Sequence, residues 1–439
     1  MMQLFSSAWI PAAMVLLLAC VARALARSWL MPGPFALLIW SVGLALPLIL
    51  APEYRVASIG PWIILLLVAC VALGSELGAG KIVGRPAIGG FLKCPFALLL
   101  RTTLLLSLPG LLGGIYWAQK TLAENGLDFS AAGLFALGHI ISVDRYSGGQ
   151  PPALARALVI WVFPAALLGG IGFAAARTVR ERILCCSPLV PAMLLSMLQA
   201  AKANTLIAVT LGLSGYLSAQ VRPGAGISRP INRKMILAVT SSLLAAFSFF
   251  FAVDALRSHK QDEEEIQVEA DWGRAKSTSL GYLAVFSHWA AGPDGADEFH
   301  FQAGAYTVGG LLDIAGLHSR ELGIYSDSFD LEGDNSNIYT VFRGLIEDFT
   351  LPGAVVLCGV VGFFAGRAYR GALAGCQIST VSLAGFYAFL LWSPVGSVFI
   401  YNGPVLAMAV GLLAVRALAR QRKHSLARMN VLESEVQSA

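Results

Sequence analysis

The chain has 439 residues, 56% of them hydrophobic and only 13% charged. Soluble domains carry about 25% charged residues, so this balance, with a mean hydropathy of +0.69, excludes a string of soluble domains. The net charge of +5 says little alone, because the basic residues are unevenly placed, and no nucleic-acid partner is expected.

Apolar runs appear at 8–26, 33–51, 59–78, 95–118, 153–176, 183–200, 204–221, 235–254, 351–368, 378–397 and 400–416. Each approaches the roughly 20 residues that a helix needs to cross a ~30 Å hydrocarbon core. In lipid the backbone must satisfy its own hydrogen bonds, and the short alternating strands of a barrel are missing. The expected fold is all-α: a polytopic integral membrane protein in the lipid bilayer, with about eleven transmembrane helices and one large extracytoplasmic loop of short helices. The first run lacks a basic leader and an A-x-A-like site, so it is read as a span and not as a cleaved signal. Residues 1–254 would form the first eight spans, 255–350 the large loop, 351–416 the last three spans and 417–439 a cytoplasmic tail.

Lys and Arg set sidedness. Arg23 and Arg27, then Lys81, Arg85 and Lys93, then Arg177, Arg180 and Arg182 fall in one set of connections. Arg222, Arg229, Arg233 and Lys234, then Arg367 and Arg370, then the cluster after Arg416 continue it. This alternation puts the C-terminus in the cytoplasm and the N-terminus outside. The seven cysteines lie in apolar runs or inner loops, with no CxxC and no Cys/His metal spacing. They read as small hydrophobic residues, and no metal is expected.

The outside receives a short loop around Glu53 and Arg55, a medium loop at 119–152 and the long segment. That segment opens with an acidic run, Asp262–Glu265, read as a solvated helix face. Residues 279–292, SLGYLAVFSHWAAG, carry an apolar stripe through Leu280, Leu283, Phe286 and Trp289, which predicts an amphipathic helix lying on an apolar surface. Phe299–Leu317 repeats the character. Asp334, Asn335 or Ser336 would cap a third helix over about 338 to 349, and Pro352 suits the first turn of the next span.

Soluble-enzyme motifs (GxGxxG, GxxxxGK[ST], GxSxG, HExxH) are absent, so neither an ATP-driven pump nor a Rossmann enzyme is expected, and no cofactor. Ionisable groups beside lipid are costly and therefore functional candidates. Lys202, in LQAAKANTL, either snorkels to the interface or projects into an outer cavity. Arg145, in SVDRYSGG, either pairs locally with Asp144 or meets a ligand. Arg101 and Glu76, near inner ends of spans, read as structural. Arg343 has Glu347 one turn later, which allows a surface i,i+4 pair. Yet Asn337, Tyr339, Thr340 and Asp348 crowd the same stretch, and a guanidinium can hold phosphate oxygens bidentately. His288 and His300 are either packing residues or proton acceptors.

With these residues laid out, the segments RY at 145–146, AAK at 200–202, SLGYLAVFSHW and above all NIYTVFRGLIEDFTLPGA resemble the O-antigen polymerase family, the Wzy-type oligosaccharide repeat-unit polymerases. The family pattern near its last large outer loop is N-x-YT, a helix, then DFG-x-x-G. Asn337, Tyr339, Thr340, Asp348, Phe349 and Gly353 match it, while Thr350 stands where the pattern has Gly. The resemblance implies a membrane glycosyltransferase at the periplasmic face of the bacterial inner membrane, with a periplasmic N-terminus. It would move a growing glycan from undecaprenyl pyrophosphate onto a new lipid-linked repeat, making O-antigen, capsule or exopolysaccharide. Donor and acceptor would both be undecaprenyl-pyrophosphate-linked oligosaccharides, with a flippase and a chain-length regulator as partners. Arg343, Asp348, His288 and Glu347 would be the catalytic set. Arg145, Lys202, Asn337, Tyr339, Arg320 and His300 would bind substrate. A ligase using the same donor is the alternative, followed by a lipid-glycan transporter or flippase, which internal repeats would favour and none are visible.

Overall fold

The computed structural model describes residues 7–80, 96–128, 130–146, 149–199, 201–221, 273, 276–292, 302–317, 325, 328–331 and 334–417. The apolar runs fold as helices: α1 (Trp9–Ala26), α2 (Pro32–Leu50), α3 (Ile59–Ala79) and α4 (Phe96–Glu124). After α5 (Ala131–Tyr146) come α6 (Ala153–Val159) and α7 (Val162–Ala175), then α8 (Val179–Cys185), α9 (Leu189–Leu198) and α10 (Ala203–Gln220). The loop segment contributes α11 (Tyr282–Ala291), α12 (Ala305–Ile314), and strands β1 (Phe329–Leu331) and β2 (Asp334–Ser336). The chain closes with α13 (Val341–Leu373), α14 (Gln377–Trp392), a 3-10 turn (Val398–Ile400) and α15 (Asn402–Ala417).

Seven helical stretches among the described residues are long and apolar enough to cross a membrane. Large apolar side chains on them face outward, as in Leu17, Leu73, Leu77 and Leu105, each more than 60% exposed. Water would not tolerate such a belt, so the chain is a polytopic all-α membrane protein. The difference from eleven has identifiable sources. α14 and α15 are shorter than a full span, α10 is diluted by Asn204, Thr205, Thr210, Ser214 and Ser218, and the run at 235–254 lies outside the described residues. Two expected single spans are each interrupted: 153–176 breaks between α6 and α7, and 183–200 breaks before Pro188.

Two apolar cores fill the bundle. One joins α1, α2, α3, α11 and α13; the other joins α4, α5, α7, α9, α10 and α15. α14 serves both, with Phe386 and Tyr387 toward the first and Val381, Ala384 and Ala388 toward the second. The closest packing is between α3 and α13. A Cβ on Gly74 or Gly78 would run into the carbonyl oxygens of Gly359 or Phe363, and one on Gly362 or Gly366 into those of Val71 or Ser75. Four glycines thus let two backbones touch, which is how helices associate in lipid, where the hydrophobic effect does not drive them together.

A helix is present in the expected stretch as α11, but Tyr282–Ser287 are all buried, so its first turns are covered on every side and not along one stripe. It lies on the head of the first core. Tyr282 donates its hydroxyl to the Gly43 carbonyl at 2.6 Å, and Lys276 pairs with Glu53 in the α2–α3 loop. Another expectation fails. Asp334, Asn335 and Ser336 do not cap a helix; they form β2, paired antiparallel with β1. The helix begins three residues later than expected, at Val341, with Thr340 at its N-cap and no side-chain cap. Its start is fixed instead by Val341 N–H donating to the Ser393 carbonyl at 2.8 Å. α13 then kinks at Thr350, just before Pro352, so its first nine residues form a separate arm at the head of the span.

Candidate functional site

The arm Val341–Phe349 carries the polar cluster. Arg343 is only 6% exposed. Its Nε donates to Glu347 Oε1 at 2.7 Å, so the i,i+4 pair forms, but inside the protein and not on its surface. The guanidinium carbon lies 4.0 Å from the Tyr339 ring centroid, 4.1 Å from Tyr325 and 5.4 Å from Trp289. Such cation–π contacts strengthen when desolvated. Tyr339 belongs to the extended segment before the arm, Tyr325 precedes β1, and Trp289 sits on α11, so the cage gathers three elements. Gly344 permits it: a Cβ there would press within 2.9 Å of Tyr306 Cβ and 3.1 Å of the Tyr325 hydroxyl. Burial first, then the neighbouring Glu347 carboxylate, push the Tyr325 phenol well above its ordinary 10 and keep it protonated.

Asp348 is fully buried. Its Oδ1 accepts the Tyr306 backbone N–H at 3.3 Å at the start of α12, and Gln302 N–H reaches the Glu347 carbonyl at 3.3 Å. Asp348 therefore pins the arm to α12. Asn337 is exposed and donates to the Tyr325 carbonyl at 3.4 Å, holding that ring's backbone. His288 sits one position before Trp289, yet its Nε2 lies 2.6 Å from the Arg55 carbonyl and its ring stacks on Phe329 at 4.7 Å. That hydrogen bond places the proton on Nε2 and ties the imidazole to the α2–α3 loop. Arg320 and His300 lie outside the described residues.

A cavity of about 590 Å³ opens at the loop end of the second core. Ala201 and Ala203, which flank Lys202, line it, as does Asp144, which precedes Arg145 on α5. Lys202 itself is the half-buried residue that starts α10. Beneath that turn, the Thr205 hydroxyl bonds to Ser196 Oγ at 2.8 Å and fixes α9 against α10. α12 connects this cavity to the Arg343 cluster. Tyr306 at its start stacks on Tyr325 at 4.9 Å, while Asp313 near its end lines the cavity. About 10 Å of helix separates the two, at 1.5 Å per residue. α12 is seated on the 3-10 turn, where Ser397 Oγ donates to the Thr307 carbonyl at 2.6 Å.

The chain thus brings Arg343, Glu347, Tyr339 and, through α12, Asp348 together, and sets Lys202 and Asp144 at a second position. Sequence reasoning missed Trp289 and Tyr325 as partners of Arg343, and it missed Asp313 and Asn402 altogether. A signal for the last existed: Asn402 stands at the head of an apolar helix in YNGP. Among the described residues no three His, Cys, Asp or Glu side chains converge as metal ligands. No protein-family model, curated protein or solved structure matches the chain.

Proposed function

We propose that this protein polymerises lipid-linked oligosaccharide repeats, transferring a growing glycan from undecaprenyl pyrophosphate to a new lipid-linked repeat at the periplasmic face of the bacterial inner membrane. The observation that carries this reading is the Arg343–Glu347 pair, a strong cation and a carboxylate held nearly buried by aromatic rings at the head of a membrane helix. Buried charge beside lipid is expensive and is retained where it acts.

In this reading the donor pyrophosphate competes with Glu347 for Arg343. The phosphate oxygens take the guanidinium, whose planar donors suit them, and Glu347 is released as a base. The acceptor hydroxyl gives its proton to Glu347 while its oxygen bonds to the donor's anomeric carbon. The carbon–oxygen bond to phosphate breaks, and the electron pair leaves with undecaprenyl pyrophosphate. Arg343 stabilises that developing charge where water is scarce, the setting in which such contacts are strongest. Asp348, committed to the Tyr306 N–H, positions the arm, and His288, committed to the Arg55 carbonyl, positions α11. Lys202 and Arg145 are the further cations for lipid phosphate.

The test is genetic. Deletion is expected to leave single repeats attached to the surface lipid; a strain with no repeat attached would point to the ligase instead. Arg343→Lys keeps the charge without the planar fork and is expected to restore less than about a tenth of the long chains. Normal chain ladders from Arg343→Ala, at normal protein level, would remove the pyrophosphate clamp.

A further inference from the structure

The end of the bundle opposite the Arg343 cluster carries a different chemistry. Beyond its kink, α13 runs about 34 Å at 1.5 Å per residue, and Arg367 and Arg370 stand on its last turns. α1 ends beside them, with Arg23 in its last turn and Arg27 at its C-cap. Ser28, just past that end, hydrogen-bonds Tyr369, the neighbour of Arg370. Arg370 Nη1 in turn donates to the Ala79 carbonyl at the end of α3, at 3.4 Å. Three helix ends thus gather four arginines. Against them, α1, α2, α3 and the part of α13 beyond Thr350 hold one carboxylate, Glu76. None of the four arginines pairs with a carboxylate among the described residues. The connection that leaves α3 adds Lys81, Arg85 and Lys93 and, through residue 95, no Asp or Glu.

An arginine near a helix C-terminus ordinarily serves the last carbonyls, and Arg370 does so. Arg23 does not. Its Nε is sealed from solvent and meets no acceptor among the described residues, while its guanidinium carbon lies 5.8 Å from the Trp29 ring centroid. A cation that has lost part of its water and found no anion is stabilised by one from outside. The surroundings say which kind. Leu25 on α1, Leu77 on α3 and Phe364 on α13 point outward near this end, each more than 60% exposed, as side chains against acyl chains do. Arg367 follows Phe364 by three residues, so it stands on the same lipid-facing side and is itself exposed. Trp29 has the amphipathic ring found at headgroup level, and basic pockets between membrane helices take anionic headgroups. We propose that the ends of α1, α3 and α13 bind the headgroup of an anionic phospholipid, with Arg23 as the main phosphate donor and Arg367 and Arg370 adding charge. The site is independent of the glycan-transfer reading, and it lies at the other membrane surface.

The test places the full chain in nanodiscs of equal phosphatidylethanolamine and phosphatidylglycerol and counts the lipids it keeps on release, by native mass spectrometry. Phosphatidylglycerol is expected to be retained about tenfold over phosphatidylethanolamine. Arg23→Gln is expected to cut that preference to about threefold or less, because it removes a charge-assisted donor, and Arg367→Gln is expected to lower it by a smaller factor. Arg180→Gln, on α8, which packs on α4 and α7, is expected to leave it unchanged. Should Arg23→Gln fold poorly, the exposed Arg367 carries the test through its own variant. No preference, or a preference unchanged in both Arg23→Gln and Arg367→Gln, would overturn the proposal. An equal loss in Arg180→Gln would do so too, since it would trace the effect to diffuse surface charge. Excess inorganic phosphate that strips the lipid would assign the arginines to a free anion instead. A preference that appears only after Glu433→Gln and Glu435→Gln would assign them to the chain's own tail. Retained lipid is read without turnover, so the result stands apart from any outcome on glycan synthesis.

Discussion

Thr350 holds φ at 62° and ψ at 166°, a region where a Cβ crowds its own backbone and which is essentially reserved for glycine. Glycine, with no Cβ, takes this conformation without that crowding. Thr350→Gly is expected to stabilise the protein by about 1 kcal/mol, read as a higher melting temperature; a lower one would show that the threonine side chain matters more than its strain. Arg343 poses a different question, since a caged ion pair can be structural. Arg343→Met leaves Glu347 nearly buried without its cation and is expected to cost about 3 kcal/mol. Adding Glu347→Leu is expected to recover most of that loss while polymer synthesis stays absent. Recovery of synthesis along with stability would show that the pair serves folding alone. The sequence exposed Arg343, Glu347 and Tyr339 because they are neighbours within nine residues. It hid Tyr325 and Trp289, because a cation–π contact across tens of residues leaves no periodic trace.

Helices read well where lipid dictates them. The apolar runs return as α1–α4, as the pairs α6–α7 and α8–α9, and as α13, because length and apolarity are what a bilayer demands. Ends and breaks read poorly. Asp334–Ser336 look like a helix cap but pair with Phe329–Leu331, since tertiary pairing outweighs a local capping preference of about 1 kcal/mol. The glycine contact of α3 with α13 is equally a tertiary fact. Gly78→Ala would drive its Cβ into the Phe363 carbonyl, and overpacking of this kind costs about 1–3 kcal/mol or more. A loss of folded protein in detergent is expected, and a normal yield and melting temperature would contradict the close approach. α11 makes its own prediction. Lys276, through its hydrogen bond, holds the Glu53 carboxyl below its ordinary 4.5. A lowered folded value means that the docking energy is fully present above 4.5 and fades as pH falls through the lower folded value. Hydrogen exchange across α11 is therefore expected to speed up in acid, and to lose that dependence in Glu53→Gln. A Glu53→Gln protein with the same acid response would trace it elsewhere.

At the scale of the whole molecule, the Arg343 cluster and the second cavity lie at the two ends of α12, at the same end of the bundle. In our reading both face the periplasm, as the distribution of Lys and Arg predicts. Single cysteines replacing Asp128 and Leu317, in a chain whose native cysteines are replaced, are expected to react with an impermeant thiol reagent added to whole cells with a permeabilised outer membrane. Protection of both would invert the orientation. A reconstitution tests the proposed glycan transfer itself. The purified chain in liposomes receives a single lipid-linked repeat unit as its sole substrate. A ladder of longer lipid-linked glycans is expected, with one undecaprenyl pyrophosphate released for each repeat joined, and neither product from the Arg343→Met protein. Repeats that stay single, or a ladder that persists in Arg343→Met, would contradict it.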